Sequence, residues 1–233
     1  MVETALYLIP VPLSEGPLDN VLPQRNVALV SQLRHFIVEN VRSARRFLKR
    51  CDSNIDIDAL TFAELNRHTP PGDVETMLAP LERGEAVGVI SEAGCPAIAD
   101  PGADVVAIAQ RRGHKVVPLV GPSSILMGLM ASGFNGQSFA FVGYLPIDGG
   151  ERARKFKEME RRIVHDHQTQ IFIETPYRNE ALLADMVRTL PSHLRLCVAT
   201  DITGPGERIV TRPVKQWAGA TIGKVPTIFL LYQ

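Results

Sequence analysis

The chain has 233 residues, 45% hydrophobic and 21% charged, a composition that supports one large α/β domain or two smaller ones and argues against disorder. Lys plus Arg and Asp plus Glu both number 25, so no global field draws the chain to nucleic acid, although a neutral average leaves room for a local basic face. Cys51, Cys95 and Cys197 are too few and too scattered for a disulfide framework or a metal knuckle, which fits a reducing cytoplasm.

The opening Met1-Val2-Glu3-Thr4 is acidic, and the apolar run after it soon meets Pro10, so no signal peptide is expected. No apolar run approaches the roughly 18 residues that cross a bilayer. The expectation is a cytoplasmic protein without a membrane partner. Short apolar runs then alternate with segments of helical period. Strands are expected at 4–9, 35–39, 60–64, 86–91 and 115–119, then at 138–142, 169–174, 195–200, 207–212 and 226–231. Val87-Gly88-Val89-Ile90 is apolar on both faces, as sheet strands covered by helices on each side are. Leu182, Leu183, Met186, Val187 and Leu190 keep helical spacing, with Asp185 and Arg188 on the other side. Alternating strands and helices predict an α/β fold.

The last three strands lie close together with little helix between them, which fits a mixed sheet rather than a parallel one. Two α/β domains follow, 1–119 with a mostly parallel sheet and 120–233 with a mixed one. Two basic clusters stand out: Arg42, Arg45, Arg46, Lys49 and Arg50, then Arg152, Arg154, Lys155, Lys157, Arg161 and Arg162. Each reads either as a solvated helix face or as a seat for nucleic-acid phosphates.

The familiar phosphate and nucleophile loops fail. Gly219 to Lys224 has too few residues between its glycines for a P-loop and Val225 where a magnesium-binding hydroxyl belongs. Gly204-Pro205-Gly206 lacks the third glycine of a dinucleotide fingerprint. There is no nucleophile elbow. His165 and His167 flank Asp166 without further ligands and read as a surface loop, so no metal is expected.

What remains is a set of Pro- and Gly-shaped turns at strand ends. Pro10 and Pro12 follow the first strand, Ser91 to Pro96 the fourth, Asp100-Pro101-Gly102 opens a helix, and Gly121-Pro122-Ser123-Ser124 follows the fifth strand. In open α/β sheets ligands bind outside the carboxyl ends of strands. Rigid turns with exposed backbone groups suit an uncharged base and an amino-acid tail better than a polyphosphate, although ordinary turns have the same composition.

At these turns the sequence resembles the tetrapyrrole methylases, in particular the branch acting on small-subunit ribosomal RNA. Leu6-Tyr7-Leu8-Ile9-Pro10-Val11-Pro12 is similar to that branch's opening Leu-Tyr-Val-Val-Pro-Thr-Pro. Ile90-Ser91-Glu92-Ala93-Gly94-Cys95-Pro96 with Asp100-Pro101-Gly102 resembles Val-Ser-Asp-Ala-Gly-Thr-Pro with Asp-Pro-Gly. Val116 to Pro122 resembles Val-Val-Pro-Leu-Pro-Gly-Pro, Gly143-Tyr144-Leu145-Pro146 resembles Gly-Phe-Leu-Pro, and Phe172-Ile173-Glu174-Thr175 with Tyr177-Arg178 resembles Phe-Tyr-Glu-Ser with His-Arg. The chain departs at Ser14-Glu15-Gly16, where the branch has Gly-Asn. It departs again at Glu92 for Asp, and at Asn40 within Val38 to Arg42, where the branch has Ala-Glu-Asp-Thr-Arg.

The resemblance implies a methyltransferase that binds S-adenosylmethionine (SAM) in a cleft between two α/β domains, acts on a ribose 2′-hydroxyl of ribosomal RNA or the small subunit, and pairs as a homodimer. By the same resemblance the cofactor is held by Pro10, Pro12 and Leu13, by Ser91, Glu92, Ala93, Gly94 and Ala97, and by Gly121, Pro122, Ser123 and Ser124. Ile173, Glu174 and Ile202 close over it. A ribose hydroxyl needs a base within reach, and Glu39, Glu92, Glu174 and His68 are candidates. Glu39 comes first, with Arg42 as a phosphate or carboxylate partner, although Glu39–Arg42 and Glu174–Arg178 also read as structural ion pairs. A small-molecule methylase and a SAM-binding sensor are the alternative functions.

Overall fold

A computed structural model describes residues 2–66 and 69–233. The chain divides into two compact units, Met1–Ser123 and Ser124–Gln233, each built on its own five-stranded sheet.

In the first unit β1 (Leu6–Ile9), β2 (His35–Val38), β3 (Thr61–Glu64), β4 (Val87–Ile90) and β5 (Val116–Pro118) pair in the order β3-β2-β4-β1-β5, every pair parallel. Successive side chains of β1 enter opposite cores. Tyr7 and Ile9 join Phe36, Phe47 and Leu48 beneath α1 (Gln24–Val30) and α2 (Val41–Cys51). Leu6 joins Ile37, Leu78, Val89 and Val105 beneath α3 (Pro71–Thr76), α4 (Ala79–Glu82) and α5 (Ala103–Arg111). Two covered faces explain the continuously apolar strands. Gly88 lets β4 pass through this packing, because a Cβ there would lie 2.6 Å from Ile9 Cδ1 and 3.0 Å from Phe36 Cδ1. From β1 the chain crosses to β2 on one side, and from β4 it crosses back to β5 on the other. The carboxyl ends of β1 and β4 therefore flank the topological switch point, where ligands of open α/β sheets bind.

The second unit pairs β6 (Phe139–Tyr144), β7 (Thr169–Glu174), β8 (Arg195–Thr200), β9 (Arg208–Pro213) and β10 (Thr227–Tyr232) in the order β6-β7-β10-β8-β9. Only β6 and β7 run parallel, so the sheet is mixed, as expected. Phe156, Met159 and Ile163 of α7 (Gly149–Asp166) and Leu182, Leu183 and Met186 of α8 (Asn179–Thr189) bury against Phe172 and Phe229, whose rings stack at 5.6 Å. Side chains of this size each stabilise the core by about 1.5–3 kcal/mol when fully buried. The sheet's other face carries α6 (Ser124–Ser132), set close enough that a Cβ on Gly128 would lie 3.2 Å from Ile228 Cγ2.

All ten strands lie within two residues of their expected bounds. The chain divides after Ser123 rather than after Leu119, and the reason is local. Asn26 Nδ2 donates to Val120 O at 2.7 Å, and Cys95 Sγ lies 3.4 Å from Pro122 O, which ties 120–123 to the first unit. The expected surface loop at His165 and Asp166 is instead the last turn of α7. His167 terminates the helix in a left-handed conformation with φ 50°. Among the described residues no helix is long and apolar enough to cross a membrane.

Candidate active site

Three loops meet at the switch point of the first sheet. The loops after β1 and β4 are joined by a short antiparallel bridge, Val11 N donating to Gly94 O at 2.9 Å and Gly94 N to Val11 O at 3.1 Å. Gly94 has φ 69°, and a Cβ on it would sit 3.1 Å from Leu13 Cδ2 and 3.7 Å from Pro122 O, so all three loops converge on it. A Cβ on Gly121 would lie 2.2 Å from Pro10 Cγ, which locks the loop after β5 onto the loop after β1. The stretch from Gly94 to Gly102 is strained as well as crowded. Ala97 and Ala99 hold φ of 65° and 64°, and Gly102 holds 131°. Left-handed alanines cost about 1–2 kcal/mol each and persist where the surroundings enforce them, commonly at functional sites.

Carboxylates gather beside these loops. Glu39 directly follows β2, and its Oε2 accepts the Glu92 backbone N–H at 3.3 Å, joining the loops after β2 and β4. Burial raises the Glu39 carboxyl above its ordinary pKa. The Glu92 N–H opposes that shift and the Glu92 charge adds to it. Asp100 is pushed up to about 6, first by burial, then by the Glu39 charge, with the Ser91 hydroxyl bond lowering it and the Glu92 charge raising it. Among the described residues no cation contributes to either shift. Among the described residues Glu39 makes no ion pair with Arg42, which is exposed on the first turn of α2. Asn40 caps that helix, its Oδ1 accepting Ser43 N–H at 3.1 Å. Asn and Asp cap about equally well, so replacing the branch's Asp leaves the local fold intact.

The first unit thus brings together Pro10, Pro12, Leu13, Glu39, Ser91, Glu92, Ala93, Gly94, Ala97, Gly121, Pro122 and Ser123. Ser124, Ile173, Glu174 and Ile202 belong to the second unit. There Glu174 and Ile202 lie at one end of the sheet, since Thr227 pairs with both Glu174 and Thr200. Glu174 is 8% exposed and held as an ion pair: Arg178 Nε and Nη2 reach its Oε1 at 2.9 and 2.6 Å, and Thr175 N–H donates at 2.6 Å. Ile202 is buried between Asp201 and Thr203, both with positive φ. His68 lies outside the described residues. Asp100 is the residue that sequence reasoning missed. It was legible only as the start of a Pro-Gly turn, and its carboxyl becomes notable once folding sets it beside Glu39. Among the described residues no cluster of three or more His, Cys, Asp or Glu is arranged to hold a metal ion.

The two basic clusters differ. On α7, Arg152 pairs with Asp185, Arg154 with Glu151, Lys155 with Glu158 and Arg162 with Asp166. On α2, Arg42, Arg45, Arg46, Lys49 and Arg50 are all exposed. Arg50 Nη2 donates to Gly16 O at 2.6 Å, and Lys49 Nζ donates to Ser53 O at 2.9 Å.

No known protein-family model matches the chain. Among solved structures, the methyltransferase CobJ overlays with a TM-score of 0.65 at 14% identity, covering 98% of this chain and 94% of its own. Uroporphyrin-III C-methyltransferase from Thermus thermophilus, complexed with S-adenyl homocysteine, overlays at 0.58 with 16% identity, covering 98% and 97%. Identities this low establish the fold, two α/β units of the tetrapyrrole-methylase type. The sequence relatives are nearer. Ribosomal RNA small subunit methyltransferase I of Vibrio cholerae is 32% identical over 211 residues, 91% of this chain and 69% of that protein. The protein of the same name from Pasteurella multocida is 31% identical over 217 residues, 92% of this chain and 73% of its own. The chain belongs to the ribosomal RNA small subunit methyltransferase I family.

Proposed function

We propose that this chain is a SAM-dependent methyltransferase that methylates a ribose 2′-hydroxyl of small-subunit ribosomal RNA, with Glu39 as the base. The observation that carries the reading is the convergence of the loops after β1, β4 and β5 on Gly94, with Glu39 bound to the middle loop through Glu92 N–H. The donor set fits the cofactor. SAM carries a sulfonium and an ammonium, and the switch point offers Glu39, Glu92 and Asp100 with no cation, among the described residues, shifting Glu39 or Asp100. Backbone groups of the loops carrying Pro10, Pro12 and Leu13, Ser91 to Ala97, and Gly121 to Ser123 hold the adenosine and the amino-acid tail. The motif resemblance assigns further cofactor contacts to Ser124, Ile173, Glu174 and Ile202.

When bound, SAM supplies an activated methyl group for in-line displacement by oxygen. The chain's own work is to fix the acceptor, exclude water and take one proton. Glu39 receives the proton of the ribose hydroxyl on its carboxylate. Burial raises its pKa above that of a free glutamate, which makes it a stronger base than a free carboxylate. Arg42, in the first turn of α2, faces a flanking phosphate of the acceptor. Action on ribosomal RNA supports a cytoplasmic location beside ribosomes, and pairing as a homodimer, carried over from the resemblance, is read by sedimentation.

Purified protein and methyl-labelled SAM are offered small ribosomal subunits, naked ribosomal RNA and a tetrapyrrole precursor. Label recovered on a ribose 2′-oxygen supports the proposal. Label confined to the tetrapyrrole, or none despite SAM binding, refutes it.

A further inference from the structure

The chemistry above leaves most of α2 unexplained. Ala44, Phe47 and Leu48 form its buried stripe. Arg42, Arg45, Arg46 and Lys49 fall on the opposite side at i, i+3, i+4 and i+7, and all four are exposed. Among the described residues none of the four forms an ion pair with a carboxylate, whereas α7 couples most of its cations to neighbouring acids. The first turn of α2 holds no acidic residue and carries Arg42, against the positive end of the helix dipole. A helix arranged only for stability would place an acid there. The stripe also starts three residues beyond Glu39, so its position is tied to the proposed acceptor.

The geometry points to this stripe as the track for the phosphodiester backbone of the RNA beside the methylated ribose, an inference that rests on the RNA reading above. From Arg42 to Lys49 the helix rises about 10 Å, the reach of about three nucleotides of one strand. Arg45 lies 5.5 Å from the centroid of the Phe62 ring, which braces its guanidinium for a phosphate or a base plane. The apolar stripe is buried against the sheet, so α2 has no face to insert into a bilayer, and RNA is the polyanion that its position favours.

The test compares two triple variants of the full chain with the same change in charge. Arg45→Gln/Arg46→Gln/Lys49→Gln strips α2, and Arg154→Gln/Lys157→Gln/Arg162→Gln strips α7. Initial rates on small ribosomal subunits are followed over a potassium chloride series at fixed magnesium, with SAM affinity and melting temperature confirming that both variants are folded. The α2 variant is expected to raise KM for subunits about tenfold or more and to reduce the salt slope of log kcat/KM by about 2, with kcat and SAM affinity unchanged. The α7 variant is expected to match the wild type. Equal effects of the two variants, or wild-type KM and slope in the α2 variant, overturn the inference alone. A wild-type chain that methylates no RNA overturns both the inference and the reading beneath it.

Discussion

Replacing Asp100 by Asn tests whether the carboxylate cluster at the switch point is costly to ionise. Asp100 sits near 6 in the folded chain against 3.8 for a free Asp, because burial and the Glu39 charge disfavour its anion. With the folded value above the unfolded one, the native state binds the extra proton between about pH 4 and 6. Stability is therefore lost as pH rises through that window. Two units correspond to about 3 kcal/mol, and partial exposure with solvent screening reduces this to about 1 kcal/mol. Asn keeps an acceptor for the Ser91 hydroxyl and never ionises. Asp100→Asn should therefore be more stable than the wild type by about 1 kcal/mol at pH 8 and equal to it at about pH 3, below the pKa of a free Asp. Urea unfolding followed by circular dichroism reads this, since the one tryptophan, Trp217, lies in the second unit and does not report on the first. A variant destabilised equally at both pH values would show that Asp100 is a structural acceptor and that its ionisation is not opposed.

Gly121→Ala drives a Cβ to 2.2 Å from Pro10 Cγ, and because the proline ring cannot swing aside the loops must part. A loss of about 1–3 kcal/mol is expected, together with weaker SAM binding by calorimetry. A variant with wild-type melting and affinity would show that the two loops are not locked together. Arg178→Met leaves the buried Glu174 carboxylate with the Thr175 N–H and no guanidinium. It should destabilise the second unit by about 2 kcal/mol, read by Trp217 fluorescence during thermal unfolding, with Glu174→Gln milder; an unchanged transition would refute the structural reading of the pair.

The central strands β1, β2 and β4 were legible because each is covered on both faces and so reads as a largely apolar run. The loops after β1, β4 and β5 were legible for a related reason, since tight convergence requires Gly and Pro at fixed places such as Gly94, Gly121 and Pro10. What stayed hidden depends on contacts between residues distant in the chain. Glu39 next to Arg42 reads as an ion pair by proximity, yet the fold turns its carboxylate to the Glu92 N–H. Asp100 gains its meaning from Glu39, which follows another strand and is remote in the chain. The basic clusters look alike as strings of Arg and Lys. They separate only when acids within and beyond α7 are seen to pair with most of its cations, while among the described residues α2 has no such partners.

The central claim, that Glu39 takes the ribose proton at this switch point, is tested most directly by single-turnover methylation of small ribosomal subunits by wild type and Glu39→Gln across a pH series. The wild-type rate should climb with pH through an apparent pKa above that of a free glutamate, in the direction in which burial shifts Glu39. Glu39→Gln should bind SAM normally, lose about 10²–10⁴-fold in rate and show no acid limb. A variant that keeps both the rate and the limb would contradict the assignment and move the search for the base elsewhere.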